Sequence, residues 1–310
     1  MPFGFYMMKS FMKKIILFGI FCTILSSCGS EKEASNEELL LDMADSLAVP
    51  HKKIGDEVIG DLIKAIPSPL EISFLIKETN KHYDVSLLND AANQSKYTSN
   101  FSKALNLGVY GTDLGYISLY NHTADAISYI TALRDLSDQL GIGQFYNFEQ
   151  IKRLALNANN IDSLLYLTTR NFEDINNYLY EKKRSEQSVL ILTGGWLEAL
   201  HLSCKIAGKT NNKALMDRVA EQKVTFEQIY LMLDNYSYDP KINALVDRLG
   251  PLKAVFAKVS ITYEVKEQKV KEVNGVLTFE SESESTVHYT EDDIYEITKN
   301  VENIRNSIIK

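Results

Sequence analysis

The chain of 310 residues carries 41 acidic and 33 basic side chains, which gives a formal net charge of −8 at pH 7. Clustered Lys and Arg drive binding to phosphate groups, so this balance argues against nucleic acid and against a basic membrane-binding surface. The length is sufficient for a sizeable hydrophobic core that needs no disulfides.

The N-terminal segment has the parts of an export signal. Lys9, Lys13 and Lys14 give it a positive start without an acid, and the stretch 15–25 is mainly apolar. Such a stretch is typical of a secretory signal and is shorter than the ~20 apolar residues that a membrane-spanning helix needs. We therefore expect residues 1–27 to be a signal peptide. The candidate start residues are Met1, Met8 and Met12.

The end of this segment predicts a lipid anchor. Leu25-Ser26-Ser27-Cys28 resembles the lipobox of bacterial lipoproteins, in which small residues fit the peptidase cleft and the thiol forms a thioether. We expect Cys28 to carry lipid, palmitate included, and to link the mature protein to the membrane. Gly29 is not Asp, which favours the outer membrane, with the protein on its periplasmic or its surface face.

The residues after the cysteine predict a flexible tether. The stretch 29–38 is polar and rich in Ser and Glu, with no apolar run. Such a composition buries too little apolar surface to offset the entropy of ordering. We expect 28–50 to be a disordered tether.

Helical periodicity dominates the range 51–258. Apolar residues recur there at three- and four-residue spacing, which predicts a helical bundle. The most hydrophobic stretch, 188–207, is apolar on most sides, so we expect it at the centre. The other predicted helices cover 54–63, 98–120, 123–140, 148–159, 161–183, 213–235 and 240–258.

The pattern changes after Val259, where apolar and polar residues alternate. Asn274-Gly275 between two alternating runs is a strong hairpin signal, and Thr290 with Asp293 has the spacing of a capping box that opens a last helix. Because an isolated hairpin is only marginally stable, we expect 259–310 to pack on the bundle. The predicted fold is mainly α, a single multi-helix bundle with a small C-terminal β-hairpin and a final helix.

Three glycines lie inside the predicted helix 98–120. Gly108, Gly111 and Gly115 each cost ~1 kcal/mol relative to Ala in a helix interior. Either they form a pocket wall that approaches a ligand, or they allow two helices to pack closely. The nearby Tyr110 and Tyr116 suit a ligand pocket or a core that satisfies their hydroxyls.

A second cluster lies in the stretch 188–207, where Gly194, Gly195 and Trp196 precede Glu198. A buried charge needs a partner, and Asp113 raises the same question. The two acids form either a polar site or a structural network that fixes helix register. The candidate cationic partners are Arg134, Arg170 and Arg184.

Motifs for metal binding and catalysis are weak. Glu198 and His201 have the Glu-x-x-His spacing of di-iron bundles, but those proteins use two copies and further Glu residues. The sequence holds no second copy and no Gly-x-Ser-x-Gly motif. Cys204, the one cysteine left after Cys22 leaves and Cys28 is lipidated, is expected to be a buried apolar residue. We expect no metal and no cofactor.

The stretches 108–116 and 193–200, together with the lipobox, resemble a group of uncharacterised helical lipoproteins of Bacteroidota. The resemblance covers most of the chain after Cys28. It implies an exported, lipid-anchored, helical protein, and it implies no activity or site residues.

The expected function is that of a lipid-anchored cell-envelope protein that binds a small ligand or an envelope protein without catalysis. The alternatives are an envelope hydrolase with Asp113 and Glu198 as acid and base, and a purely structural envelope component. A cavity shared by these two carboxylates would favour a site. The candidate pocket residues are Gly108, Tyr110, Gly111, Asp113, Gly115, Tyr116, Gly194, Gly195, Trp196 and Glu198.

Overall fold

The computed structural model describes residues 53–68, 76–77, 82–156, 161–264, 269–273, 276–280 and 284–310. The predicted signal peptide, the lipidation site at Cys28, the tether and the Asn274-Gly275 turn lie outside the described residues. Within them the fold is mainly α, as predicted, with short antiparallel strands before a last helix.

The helices are numbered in chain order. The first five are α1 (Asp56–Ala65), α2 (Asn100–Leu119), α3 (Thr123–Gln139), α4 (Phe148–Ala155) and α5 (Ile161–Glu181). The next five are α6 (Ser185–Thr210), α7 (Lys213–Glu221), α8 (Lys223–Asn235), α9 (Pro240–Phe256) and α10 (Glu291–Ile308). Short 3₁₀ helices cover Val85–Leu87, Ala91–Lys96 and Gly143–Phe145.

Side-chain caps explain where several helices begin. The Ser99 hydroxyl accepts a hydrogen bond from the backbone N–H of Ser102 in a capping box that opens α2. Thr290 and Asp293 form the predicted box at the start of α10, and Asp239 caps α9 ahead of Pro240. These caps satisfy N–H groups that have no partner within the helix.

The prediction of one continuous helix over 213–235 is wrong. The chain forms α7 and α8, which are separated at Gln222, where ψ is −7°. The side-chain oxygen of Gln222 accepts a hydrogen bond of 3.0 Å from the indole N–H of Trp196, and the buried indole thereby gains a partner at the break. The helix predicted over 148–159 is also shorter, since α4 ends at Ala155.

Helix α6 forms the centre of the bundle, as predicted. It contacts α1, α2, α5, α7, α8 and α10, and its most extensive contact is with α2. Among the described residues it is the one helix long and apolar enough to cross a membrane, but 94% of its apolar window is buried inside the protein. Here α6 serves as the core of the bundle.

The predicted C-terminal hairpin is present as two antiparallel ladders. Strand β1 (Ser260–Glu264) pairs with β4 (Glu284–His288), and β2 (Lys269–Val273) pairs with β3 (Val276–Glu280). After β4, α10 packs against α6 and α9. The Tyr289 hydroxyl donates a hydrogen bond of 2.6 Å to Asp217, which joins this end of the chain to α7.

Candidate functional site

Glycines allow α2 and α6 to cross in direct contact. A Cβ added at Gly108 would collide with the Ile191 carbonyl oxygen and lie 2.6 Å from the backbone nitrogen of Gly195. A Cβ at Gly194 would likewise collide with the Leu105 carbonyl oxygen. Close helix packing, one of the two explanations offered by the sequence, therefore accounts for these two glycines.

A buried charged network lies beside this crossing. Asp113 and Glu198 are 0% exposed, and Arg305 of α10 is 6% exposed. The Arg305 guanidinium donates two hydrogen bonds to the Glu198 carboxylate, of 2.8 Å from Nε and 2.7 Å from Nη2. Nη2 also donates to the Leu87 carbonyl at 3.0 Å. The sequence missed Arg305, because this pair joins residues that are 107 positions apart.

The arginines proposed from the sequence lie elsewhere. Arg134 is near Glu149, with 3.9 Å between the charged atoms, and Arg184 donates to the Leu140 carbonyl at 2.8 Å. Arg170 is exposed on α5. None of the three is the partner of Glu198.

Asp113 completes the network as a neutral acid. Burial, followed by the charge of Glu198, raises the pKa of Asp113 well above its usual range. One oxygen of Asp113 accepts a hydrogen bond of 3.1 Å from the Asn89 N–H. The raised pKa favours a proton on Asp113, whose other oxygen has no hydrogen-bond partner among the described residues. The network then holds one negative and one positive charge.

Amides and a tyrosine extend the network to the end of the chain. Asn89 donates to the Tyr97 hydroxyl at 3.0 Å and to Asn106 at 3.3 Å. Asn106 and Tyr97 donate in turn to the carbonyls of Ile308 and Ile309. The arrangement fastens α10 to α2, and it leaves Asp113 and Glu198 without access to a substrate.

His201 and Cys204 are also withdrawn from solvent. Burial lowers the pKa of His201 to about 4, so its imidazole is neutral at pH 7. Burial raises the pKa of the Cys204 thiol to about 12, so the thiol stays protonated. In the part of the chain that the structure describes, no group of three His, Cys, Asp or Glu side chains could hold a metal ion.

A cavity of about 170 Å³ opens on the other side of the α2–α6 crossing. It lies between α1, α2, α5 and α6, with residues of α3 and α4 completing its wall. At Gly111 an added Cβ would meet nothing within 4 Å. This glycine therefore leaves space in the middle of a buried helix. The apolar wall includes Ile63, Leu107, Leu133, Ile151, Phe172 and Ile191.

Three of the ten predicted pocket residues, Gly108, Gly111 and Gly195, line this cavity. The hydroxyls of Tyr110 and Tyr116 are hydrogen-bonded to backbone groups of Asp90 and Asp84. The other predicted pocket residues that do not line the cavity are Asp113, Gly115, Gly194, Trp196 and Glu198. The predicted cluster is thus divided between a packed core and a cavity.

Asn176 and Tyr146 are among the polar side chains of the wall, and sequence reasoning missed both. Asn176 of α5 is 3% exposed, and its amide has no hydrogen-bond partner among the residues described. The hydroxyl of Tyr146, from the turn before α4, is likewise without one, and burial raises its pKa. No spacing in the sequence identifies these residues, because their common location depends on how α5 packs on the bundle.

A wider groove lies between the 3₁₀ segments and α3, with a volume of about 750 Å³. Asp90 and Asp125 line it together with Tyr129. The Asp125 carboxylate already accepts a hydrogen bond of 2.9 Å from the Tyr83 hydroxyl, and Asp90 caps a 3₁₀ turn through the Ala92 N–H. Local structure therefore accounts for both acids of this groove.

Comparisons with protein-family models, with curated proteins and with solved structures find no match to this chain.

Proposed function

We propose that this chain is a lipid-anchored cell-envelope protein whose helical domain binds a small, mostly apolar molecule in the cavity beneath Gly111, without catalysis. The cavity is the observation that carries the binding function. Ligand sites are concave, mainly apolar and furnished with a few polar groups, and this cavity has those features.

The buried network supports a function without catalysis at the predicted carboxylates. A general acid or base must come within hydrogen-bond reach of the substrate. Asp113 and Glu198 are 0% exposed, Glu198 is paired with Arg305, and Asp113 accepts a hydrogen bond from the Asn89 N–H. Their geometry suits a structural role in the core, and the alternative of an envelope hydrolase that uses them loses its support.

Filling the cavity tests the binding function. Gly111→Leu places a side chain in the open space, so the affinity for toluene, used as an apolar probe, should fall at least tenfold. The matched control is Gly208→Leu, at an exposed glycine of α6 with open space around it. Isothermal titration calorimetry on the full chain measures both. If the original chain does not bind toluene, or if Gly111→Leu binds it unchanged, the proposal fails and a purely structural envelope component becomes the better explanation.

The stretch 25–28 supports the anchor, with Cys28 as the lipid-bearing residue and the outer membrane as the site of attachment. In Cys28→Ala the nucleophile is lost, so incorporation of radiolabelled palmitate should disappear and the precursor should accumulate. Cys204→Ala, at a buried cysteine of α6, should keep the label. A processed and labelled Cys28→Ala protein would contradict the anchor.

A further inference from the structure

The cavity wall contains an amide that forms no hydrogen bond to the described residues. Asn176 is 3% exposed and lines the cavity, and its side chain has no hydrogen-bond partner within the described ranges. A buried polar group without a partner destabilises the protein unless a ligand or an ordered water completes it. A ligand with a polar group that bonds to this amide should therefore bind more tightly than a purely apolar ligand of the same size.

Tyr146, which is partly exposed, also lines the cavity, and its hydroxyl forms no hydrogen bond to the described residues. An amide offers donors and an acceptor, and a phenolic hydroxyl donates and accepts. A hydroxyl on the ligand can form hydrogen bonds with both groups, since it also donates and accepts. A carbonyl only accepts, so it would leave the acceptor of Asn176 without a donor.

The charges around the cavity indicate a neutral ligand. Lys64 and Glu173, one of each sign, are the charged residues among those described in its lining, and both are exposed. The buried part of the wall is apolar or uncharged. No described residue in the buried part of the wall is charged. An ionised carboxylate or ammonium placed against that part would be unpaired, and burial of an unpaired charge is strongly unfavourable.

The volume limits the size of the ligand. An apolar cavity of roughly 150 Å³ holds benzene, and the cavity measures about 170 Å³. A molecule of roughly six to eight non-hydrogen atoms matches this volume on the same scale.

We infer that the ligand is a neutral small phenol or alcohol, with an apolar body beside Gly111 and a single hydroxyl bonded to Asn176. This assignment rests on the proposed binding function of the cavity. Toluene and p-cresol, which differ by one hydroxyl, separate the two ideas, and benzoate adds a charged molecule of similar size.

Calorimetric titration of the full chain with these probes tests the assignment. We expect p-cresol to bind about 3- to 10-fold more tightly than toluene, as one net hydrogen bond provides, and benzoate to bind at least tenfold more weakly than p-cresol. Asn176→Ala should reduce p-cresol binding to the level of toluene and change toluene binding less than twofold. Asn177→Ala, at the next and exposed position of α5, should change neither.

The outcomes distinguish the two proposals. Equal affinities for toluene and p-cresol in the original chain overturn the hydroxyl assignment and leave the apolar cavity as a binding site. Binding of neither probe overturns both proposals, and tightest binding of benzoate overturns the neutral class. Circular dichroism shows whether Asn176→Ala folds. If it does not, the relative affinities of the original chain for toluene, p-cresol and benzoate still test the neutral hydroxyl assignment.

Discussion

The two faces of α2 differ in how their polar groups are satisfied. On one face Asp113 accepts a hydrogen bond from the Asn89 N–H and lies near the ion pair between Glu198 and Arg305. On the other face Gly111 borders empty space, and the Asn176 amide lies in the wall unpaired. The first region carries more charge, and the second contains the cavity.

Buried charge alone therefore does not identify the residues that border a cavity in this protein. Buried carboxylates attract attention in a sequence because they need partners. Here Glu198 is paired with Arg305 and Asp113 is hydrogen-bonded to Asn89, so both carboxyl groups belong to the packed core. The unpaired amide and the missing side chain at Gly111 are less conspicuous, yet they border the cavity to which we assign the binding function.

Removal of Arg305 should give the largest effect and tests whether the charged network is structural. In Arg305→Met, Glu198 keeps a buried charge without a partner, so the free energy of unfolding should fall by about 3–5 kcal/mol. Urea denaturation measures it. Arg248→Met, at an exposed arginine of α9, should change it by less than about 0.5 kcal/mol. If both variants lose a similar amount of unfolding free energy, Arg305 contributes no more to stability than an exposed arginine, and the structural role of the network is contradicted.

The sequence predicts the elements of the fold better than the contacts between them. Local signals define α2 and α10, because a capping box opens each of them. The break at Gln222 was not predicted, because it depends on the indole of Trp196 from another helix.

In the candidate site, too, the sequence indicates some residues, whereas others are found only from the packing of the helices. Glycine inside a helix signals a missing side chain, and it correctly drew attention to Gly108 and Gly111. The sequence does not show which glycine faces a backbone and which faces a cavity. It also does not indicate Arg305 or Asn176, since each meets its site through packing between distant helices.

Protonation of His201 should give the next effect, because it places a charge beside the network. Burial lowers the pKa of His201 from 6.5 to about 4, so the unfolded chain binds this proton at a higher pH than the folded one. The stabilisation is complete above pH 6.5 and is lost as the pH falls to 4. Relative to His201→Gln, the original chain should lose on the order of 3 kcal/mol over this range.

Urea denaturation at several pH values measures this difference in the free energy of unfolding. Because Asp113 is present in both chains, its own titration cancels in the comparison. His288→Gln, at an exposed histidine of β4, should follow the original chain throughout. A constant difference between the original chain and His201→Gln from pH 6.5 to 4 would show that the imidazole is accessible to protons, and the network would then be less closed than its burial indicates.

A series of glycine variants should give the smallest effects and compares the faces of α2 directly. Gly108→Ala places a methyl group against the Ile191 carbonyl, and overpacking of this kind costs about 1–3 kcal/mol. Gly111→Ala meets open space, so improved helix propensity should stabilise the chain by up to ~1 kcal/mol. Gly208→Ala on the exposed face of α6 gives the reference value for propensity alone, and thermal unfolding measures all three. If Gly111→Ala destabilises the chain as much as Gly108→Ala does, the space beneath Gly111 is filled in solution, and α2 packs closely on both faces.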